Sequence, residues 1–418
     1  VLQRLDRAYF ALFREYPALL RLGIVTGAGQ IAFALLNVYA LPIYLVEGLH
    51  VSGVTLGAVS ATFLVCEMVL KFPMGRLSDR FGRKPFLVLG PLLICLNPTI
   101  MVHLPRRLWA LIFPLRAADG AGAAALWPPL FAMVGDLVNK RSRAAAMSVL
   151  NTIYVGAIGL AVLLGSFAEY FSRGYHLPFY LASLFLFLSG LVGYFGLPRS
   201  VLIENQSPGG NSTDAPERVT AASKQERPGR ATYPMAFILL ISLLMTLGVL
   251  MLANFIVLYI KLELGLSALH LGILLIALAA PVLLLGLPLG HAADKWGKSR
   301  AVRLSLVASA LVMWLIPSCR TVPLFALVGV ILVTSHILGI PAWLAVVSEL
   351  APTSRRGGIM GIVSTAEGAG AALGPLLGGW LWDLNHAHIF YGSAVLLTLG
   401  AIVACVILRE DKEYSGAH

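Results

Sequence analysis

The chain of 418 residues is 58% hydrophobic and only 12% charged, with a mean hydropathy of +0.84, whereas soluble proteins carry about a quarter charged residues. That excludes a soluble enzyme or binding module: apolar runs of roughly 20 residues, each able to cross a hydrocarbon core about 30 Å thick, recur throughout and mark a polytopic membrane protein. The formal charge of +11 points to nucleic acid or to membrane orientation, depending on where the basic residues lie.

Residues 1–21 set Arg4, Arg7, Arg14 and Arg21 among Leu2, Leu5, Phe10, Leu12 and Phe13. This predicts a basic amphipathic segment on a membrane surface and no cleavable signal. Apolar runs bounded by charges, Gly and Pro then predict spans at 22–46, 53–74, 85–104, 108–135, 144–168 and 176–197, a six-helix half over 22–198. Residues 199–232 are polar and read as a flexible linker. The second half, 233–408, repeats the pattern with spans at 234–260, 268–289, 301–318, 322–347, 357–382 and 387–408, and 409–418 form a tail. The expected fold class is all-α, with twelve transmembrane helices in two six-helix halves.

Of the 31 Lys and Arg, 24 fall in 1–21, 75–84, 136–143, the linker with Arg199, 291–303, 355–356 and the tail, and only five in the alternate loops. By the positive-inside rule, both termini and the linker face the cytoplasm. The charge therefore reflects orientation and attraction to anionic lipid, not nucleic acid, and the acceptor sequence Asn211-Ser-Thr213 lies on the wrong side for glycosylation. Cys66, Cys95, Cys319 and Cys405 sit inside apolar runs without metal-ligand spacing, and no metal or cofactor is expected.

The loop Gly75-Arg-Leu-Ser-Asp-Arg-Phe-Gly-Arg-Lys84 separates spans 2 and 3. It returns about 215 positions later as Gly290-His-Ala-Ala-Asp-Lys-Trp-Gly-Lys-Ser-Arg300, which marks two homologous halves. Gly75 is expected to end span 2 in a tight turn, and Gly82 to take positive φ before span 3. Asp79 is expected to accept from backbone N–H groups at a nearby helix start, and Arg83 to pair with Asp136 at the end of span 4. The repeat supplies a second set: Asp294, Lys298 and Glu349.

Within the spans, Arg116 lies roughly 12 Å in from Leu108 at about 1.5 Å per residue, with Asp119 on the same helical face. Glu67 reaches a similar depth in span 2, with Lys71 one turn below, and Glu367 sits about 15 Å into span 11. Charge at such depth is costly and normally faces a cavity or a partner, so Glu67, Arg116, Asp119 and Glu367 are the proton-coupling candidates. Asn37, Trp127, Tyr154 and Asn254, in spans 1, 4, 5 and 7, and His336 in span 10 are candidates for a substrate cavity. Span 11 also carries Gly361, Gly370, Gly374, Pro375, Gly378 and Gly379. Small residues let helices approach closely and the proline bends the helix, together a candidate pivot.

Two six-span halves, a charged linker and the 75–84 loop resemble the major facilitator superfamily over nearly the whole chain. The loop resembles that family's motif A, with a weaker copy at 290–300. Leu115-Arg-Ala-Ala-Asp-Gly-Ala-Gly-Ala-Ala124 resembles its motif B, and the span 11 glycines match motif C in spacing. In drug:proton antiporters motif C is expected in span 5, which here reads Gly156-Ala-Ile-Gly159 and Gly165-Ser-Phe-Ala168. The resemblance implies inverted repeats within each half and alternating access around a midplane site. It also implies a cytoplasmic latch formed by Gly75, Asp79, Gly82, Arg83, Asp136, Asp294, Lys298 and Glu349.

The expected function is secondary active transport of a small molecule by a monomer in a bacterial inner membrane, with protons exchanged for exported drugs or amphipathic metabolites. Proton-coupled uptake of a sugar or organic anion, and lipid flipping, are the alternatives. Gly297-Lys-Ser299 lacks the rest of a P-loop, and neither Gly-x-Ser-x-Gly nor His-Glu-x-x-His is present to suggest an intramembrane enzyme.

Overall fold

Inside hydrocarbon every backbone N–H and C=O must find its partner within the segment or a closed sheet, and among the described residues the apolar runs close into helices. The computed structural model describes residues 12–139, 142–198, 235–278, 296–350 and 356–408, and among them there is no strand. The first half comprises α1 (Pro17–Gly48), α2 (Gly53–Phe81), α3 (Arg83–His103), α4 (Ile112–Leu137), α5 (Arg143–Ser172) and α6 (His176–Gly196). The second comprises α7 (Met235–Ala253, resuming as Ile256–Glu263), α8 (Ala268–Leu278 as described), α9 (Lys298–Leu315), α10 (Val322–Leu350), α11 (Arg356–Leu384) and α12 (His388–Ile407).

Among the described residues nine helices are long and apolar enough to cross a membrane. Helices α4 and α11 have the length but are diluted by Gly, Ala and Pro. The chain is therefore an all-helical membrane protein of twelve spans in two halves. The halves repeat one another in packing as well as in sequence. Helix α1 lies against α5 and α6, and α3 against α4 and α6; correspondingly, α7 lies against α11 and α12, and α9 against α10 and α12. Among the described residues the main seam between the halves is α2 against α11.

Three sequence expectations need correction. Residues 17–21, assigned to a surface segment, belong to α1, which starts at Pro17 because a helix's first position has no use for the missing N–H. Gly75 makes no turn: α2 runs on through it to Phe81, since the helical bonds need no positive φ there and Pro128 Cβ, the nearest neighbour to an added methyl, is 3.8 Å away. The turn rests on Gly82 alone, at φ 89° and ψ 151°, a region open essentially to glycine, and its repeat partner Gly297 has φ 93°. Asp79, expected at a helix start, is 67% exposed, with Arg83 3.7 Å away.

Helix α1 departs from α geometry in two π-helical stretches, Leu35–Ala40 and Tyr44–Gly48. Such wide turns re-aim side chains and recur at functional positions. Here they carry Asn37, Tyr39 and Glu47.

Candidate functional site

The centre of the first half is a buried polar knot. Arg116 Nη1 donates to Asp119 Oδ2 at 2.8 Å, with side-chain exposures of 0% and 1%. A second Arg116 nitrogen donates to Asn37 Oδ1 on α1, and Asn97 Nδ2 on α3 donates to Asp119 Oδ1 at 2.8 Å. The guanidinium lies 4.4 Å from the centre of the Phe63 ring on α2, an attraction that grows when desolvated. One ion pair thus ties α4 to α1, α2 and α3. Asn97 carried no sequence signal, because nothing in a single Asn-Pro step says which carboxylate it will face. Asn37, expected at a cavity, serves this knot instead.

Glu67 is nearly buried and pairs with Lys71 at 2.9 Å, one turn away and half-exposed. Tyr154 on α5 stands within electrostatic reach of Glu67. Around them Phe33, Phe63, Trp127 and Tyr154 form a chain of tilted and edge-on rings, with centroids 5.2 to 5.9 Å apart. Trp127 and Tyr154 therefore come together beside Glu67. Asn254 and His336 belong to the second half, at the break in α7 and on α10. Asn254 is buried, and His336 Nδ1 lies 3.1 Å from the Leu332 carbonyl and 3.5 Å from Ser309 Oγ.

Glu367 is half-buried on α11, without a hydrogen bond or ion pair among the described residues. Its neighbour Gly368 packs against Met68, the neighbour of Glu67, so that an added Cβ would sit 2.5 Å from the sulfur. One acid from each half thus flanks the same contact in the α2/α11 seam.

At the loop face, Arg83 Nη1 lies 2.6 Å from Asp136 Oδ2 and also donates to the Ala132 carbonyl, which ties the turn to the end of α4. Lys298 opens α9. Glu349 falls at the end of α10, and its side chain, like the whole of Asp294, lies outside the described residues. The glycines of α11 divide by face. Gly370, Gly374 and Gly378 press on α7 at Leu243, Leu247 and Met251, while Gly379 meets Gly53 of α2 and Pro375 meets Gly57. Gly361 has open space around it.

A second charged group, at the opposite face, escaped sequence reasoning. Lys261 Nζ lies 2.6 Å from Glu169 Oε1 and 2.9 Å from Glu47 Oε2, and Tyr39 O–H donates to Glu169 Oε2 at 2.7 Å. Tyr175 O–H approaches Glu47 at 3.5 Å, and burial together with the Glu47 charge pushes that phenol above its ordinary value. Glu47 and Glu169 end α1 and α5, and Lys261 ends α7. Asp383, at the end of α11, accepts from Gly53 N–H at 2.5 Å and from Val54 N–H at 2.9 Å. The available signal was acids at span ends on the lysine-poor side. Their partners are 92, 214 and 330 positions away, and no local spacing connects them.

Comparison with known proteins places this geometry. The chain is 27% identical over 382 residues to Multidrug resistance protein 2 of Bacillus subtilis (strain 168), covering 88% of this chain and 90% of that protein. It is 26% identical to the inner membrane transport protein YajR of Escherichia coli (strain K12), covering 88% and 77%. Among solved structures it superposes on a D-xylose-proton symporter with a TM-score of 0.74 at 16% identity, covering 95% and 99%. The family model of the Major Facilitator Superfamily matches residues 22–224 and 238–418, and the chain belongs to that family.

Proposed function

We propose that this transporter exports amphipathic, preferably cationic, compounds in exchange for protons, with the 75–84 loop on the cytoplasmic side. The observation that carries the proposal is the pairing pattern of the intramembrane acids. Asp119 is neutralised by Arg116 and Glu67 by Lys71, whereas Glu367 has no such partner among the described residues. Charge at that depth asks for a partner, and a proton or a cationic substrate supplies one. The two would then compete at the α2/α11 seam, which is the basis of exchange. The rings of Trp127 and Tyr154 next to Glu67, backed by the buried Phe33, offer the apolar and cation-binding surface that such compounds require. Relatives named for multidrug resistance support the same reading.

The test is reconstitution in liposomes with an imposed pH gradient and a lipophilic cation as probe. Expected is uphill movement of the probe with counterflow of protons, lost in Glu367→Gln. Probe movement indifferent to the gradient would remove proton exchange from the proposal.

A further inference from the structure

We propose that Asp383 and Lys261 are the gating residues that hold the face opposite the 75–84 loop shut. The inference rests on the alternating-access reading above and extends it to residues that carry none of the family's motifs. Both groups bridge the halves. The Asp383 carboxylate closes on the first two N–H groups of α2, where the unpaired donors and the helix dipole favour an anion. Lys261 is clamped between Glu47 and Glu169, at 16% exposure for its side chain and 21% and 15% for theirs, in a triad that carries one net negative charge. Beneath the Asp383 cap the backbones themselves meet. A Cβ at Gly53 would fall 2.7 Å from the Gly379 carbonyl, and one at Gly57 would overlap the Pro375 carbonyl. Only two helices without side chains at these positions come together so closely.

The loop face shows the reverse. Asp79, at the other end of α2, stands exposed. The carboxylate of α11 at one face and that of α2 at the other thus stand in matching places, each near an end of the α2/α11 seam, and among the described residues the first bridges the halves whereas the second meets Arg83 of its own half. Rocking that separates Gly53 from Asp383 must also pull Lys261 away from Glu47 and Glu169, because α7 is packed along α11 through Gly370, Gly374 and Gly378. The two contacts therefore open together. Tyr39 and Tyr175 remain with the first half as donors to the freed carboxylates.

The experiment measures distance, not transport. Spin labels at Arg107 and Arg320, both exposed at this face in opposite halves, are introduced after Cys66, Cys95, Cys319 and Cys405 are replaced, and their separation is read by pulsed electron resonance in lipid nanodiscs. The unmodified gate should give a predominantly short distance. Asp383→Asn and Lys261→Gln should each add a longer component at least several-fold more populated. The double exchange Lys261→Glu/Glu169→Lys, which preserves the composition of the triad, should restore the short distance. Should Asp383→Asn fail to accumulate, Lys261→Gln reads the same gate through the separate triad. Unchanged distances in the folded single variants, or a double exchange as open as the singles, would overturn the proposal. Distances that shift as expected in a protein that moves no probe would keep the gate and remove the export reading instead.

Discussion

Arg116 and Asp119 stand one turn apart on α4, joined at 2.8 Å and sealed from solvent. In such a pair the loss of one member costs more than the loss of both, because the survivor is left charged in a low-dielectric interior. Asp119→Asn or Arg116→Met should each destabilise the protein by about 3–5 kcal/mol, read as a drop of several degrees in Tm in detergent. Arg116→Met/Asp119→Leu should recover most of that loss while still failing to transport. A double variant as unstable as the two singles combined would show that the pair is not self-contained.

Gly82 and Gly75 offer a contrast within ten residues. At φ 89° any side chain on residue 82 is strained by about 1–3 kcal/mol, so Gly82→Ala should lower both Tm and transport rate. Gly75→Ala should leave both near the parent value, since residue 75 is helical and has room for a methyl. Thermal unfolding and initial transport rates on the two variants decide this.

Replacing Asp79 by Asn should leave membrane insertion and Tm unchanged, because the side chain is 67% exposed in this conformation. Transport should nonetheless slow, since the carboxylate is placed to engage only when the loop face closes. Asp136→Asn, which removes the 2.6 Å partner of Arg83, should loosen the α2/α3 turn already in this state. Accelerated proteolysis of the 75–84 turn in Asp136→Asn but not in Asp79→Asn is the expected signature.

Gly57→Ala should wedge α2 from α11, because the added methyl overlaps the Pro375 carbonyl. A cysteine at Met68, in the seam beyond the wedge, should then react several-fold faster with a membrane-impermeant maleimide added from the Lys261 side. Gly361→Ala, with nothing near it, serves as the silent control.

The halves, their twelve spans and the pairing of Arg83 with Asp136 were legible because they rest on signals that survive in one dimension: run length, a repeat, and like residues at like offsets. Arg116 with Asp119 and Glu67 with Lys71 were legible for the same reason, as partners within one helical turn. What the sequence withheld is contact between remote segments. Nothing local connects Asp383 to Gly53, or Lys261 to Glu47, until two halves of similar shape are laid face to face. Gly75 was misread because a glycine before charges signals a turn equally well whether or not the helix continues. The seven residues Arg76 to Gly82 had to be seen to place the break at the last of them.

The wide turns of α1 leave that helix with slack. Each π stretch accommodates about one residue beyond the α register, so loss of one residue between Leu35 and Ala40 would be absorbed by reversion to a regular helix, while Pro17 to Ala34 kept its packing. What would be lost is the aim of Asn37 toward Arg116 and of Tyr39 toward Glu169. A single-residue length change in α1 would thus keep the fold, the Arg116–Asp119 pair and the Lys261 triad, and strip each cluster of the one contact that α1's wide turn supplies to it.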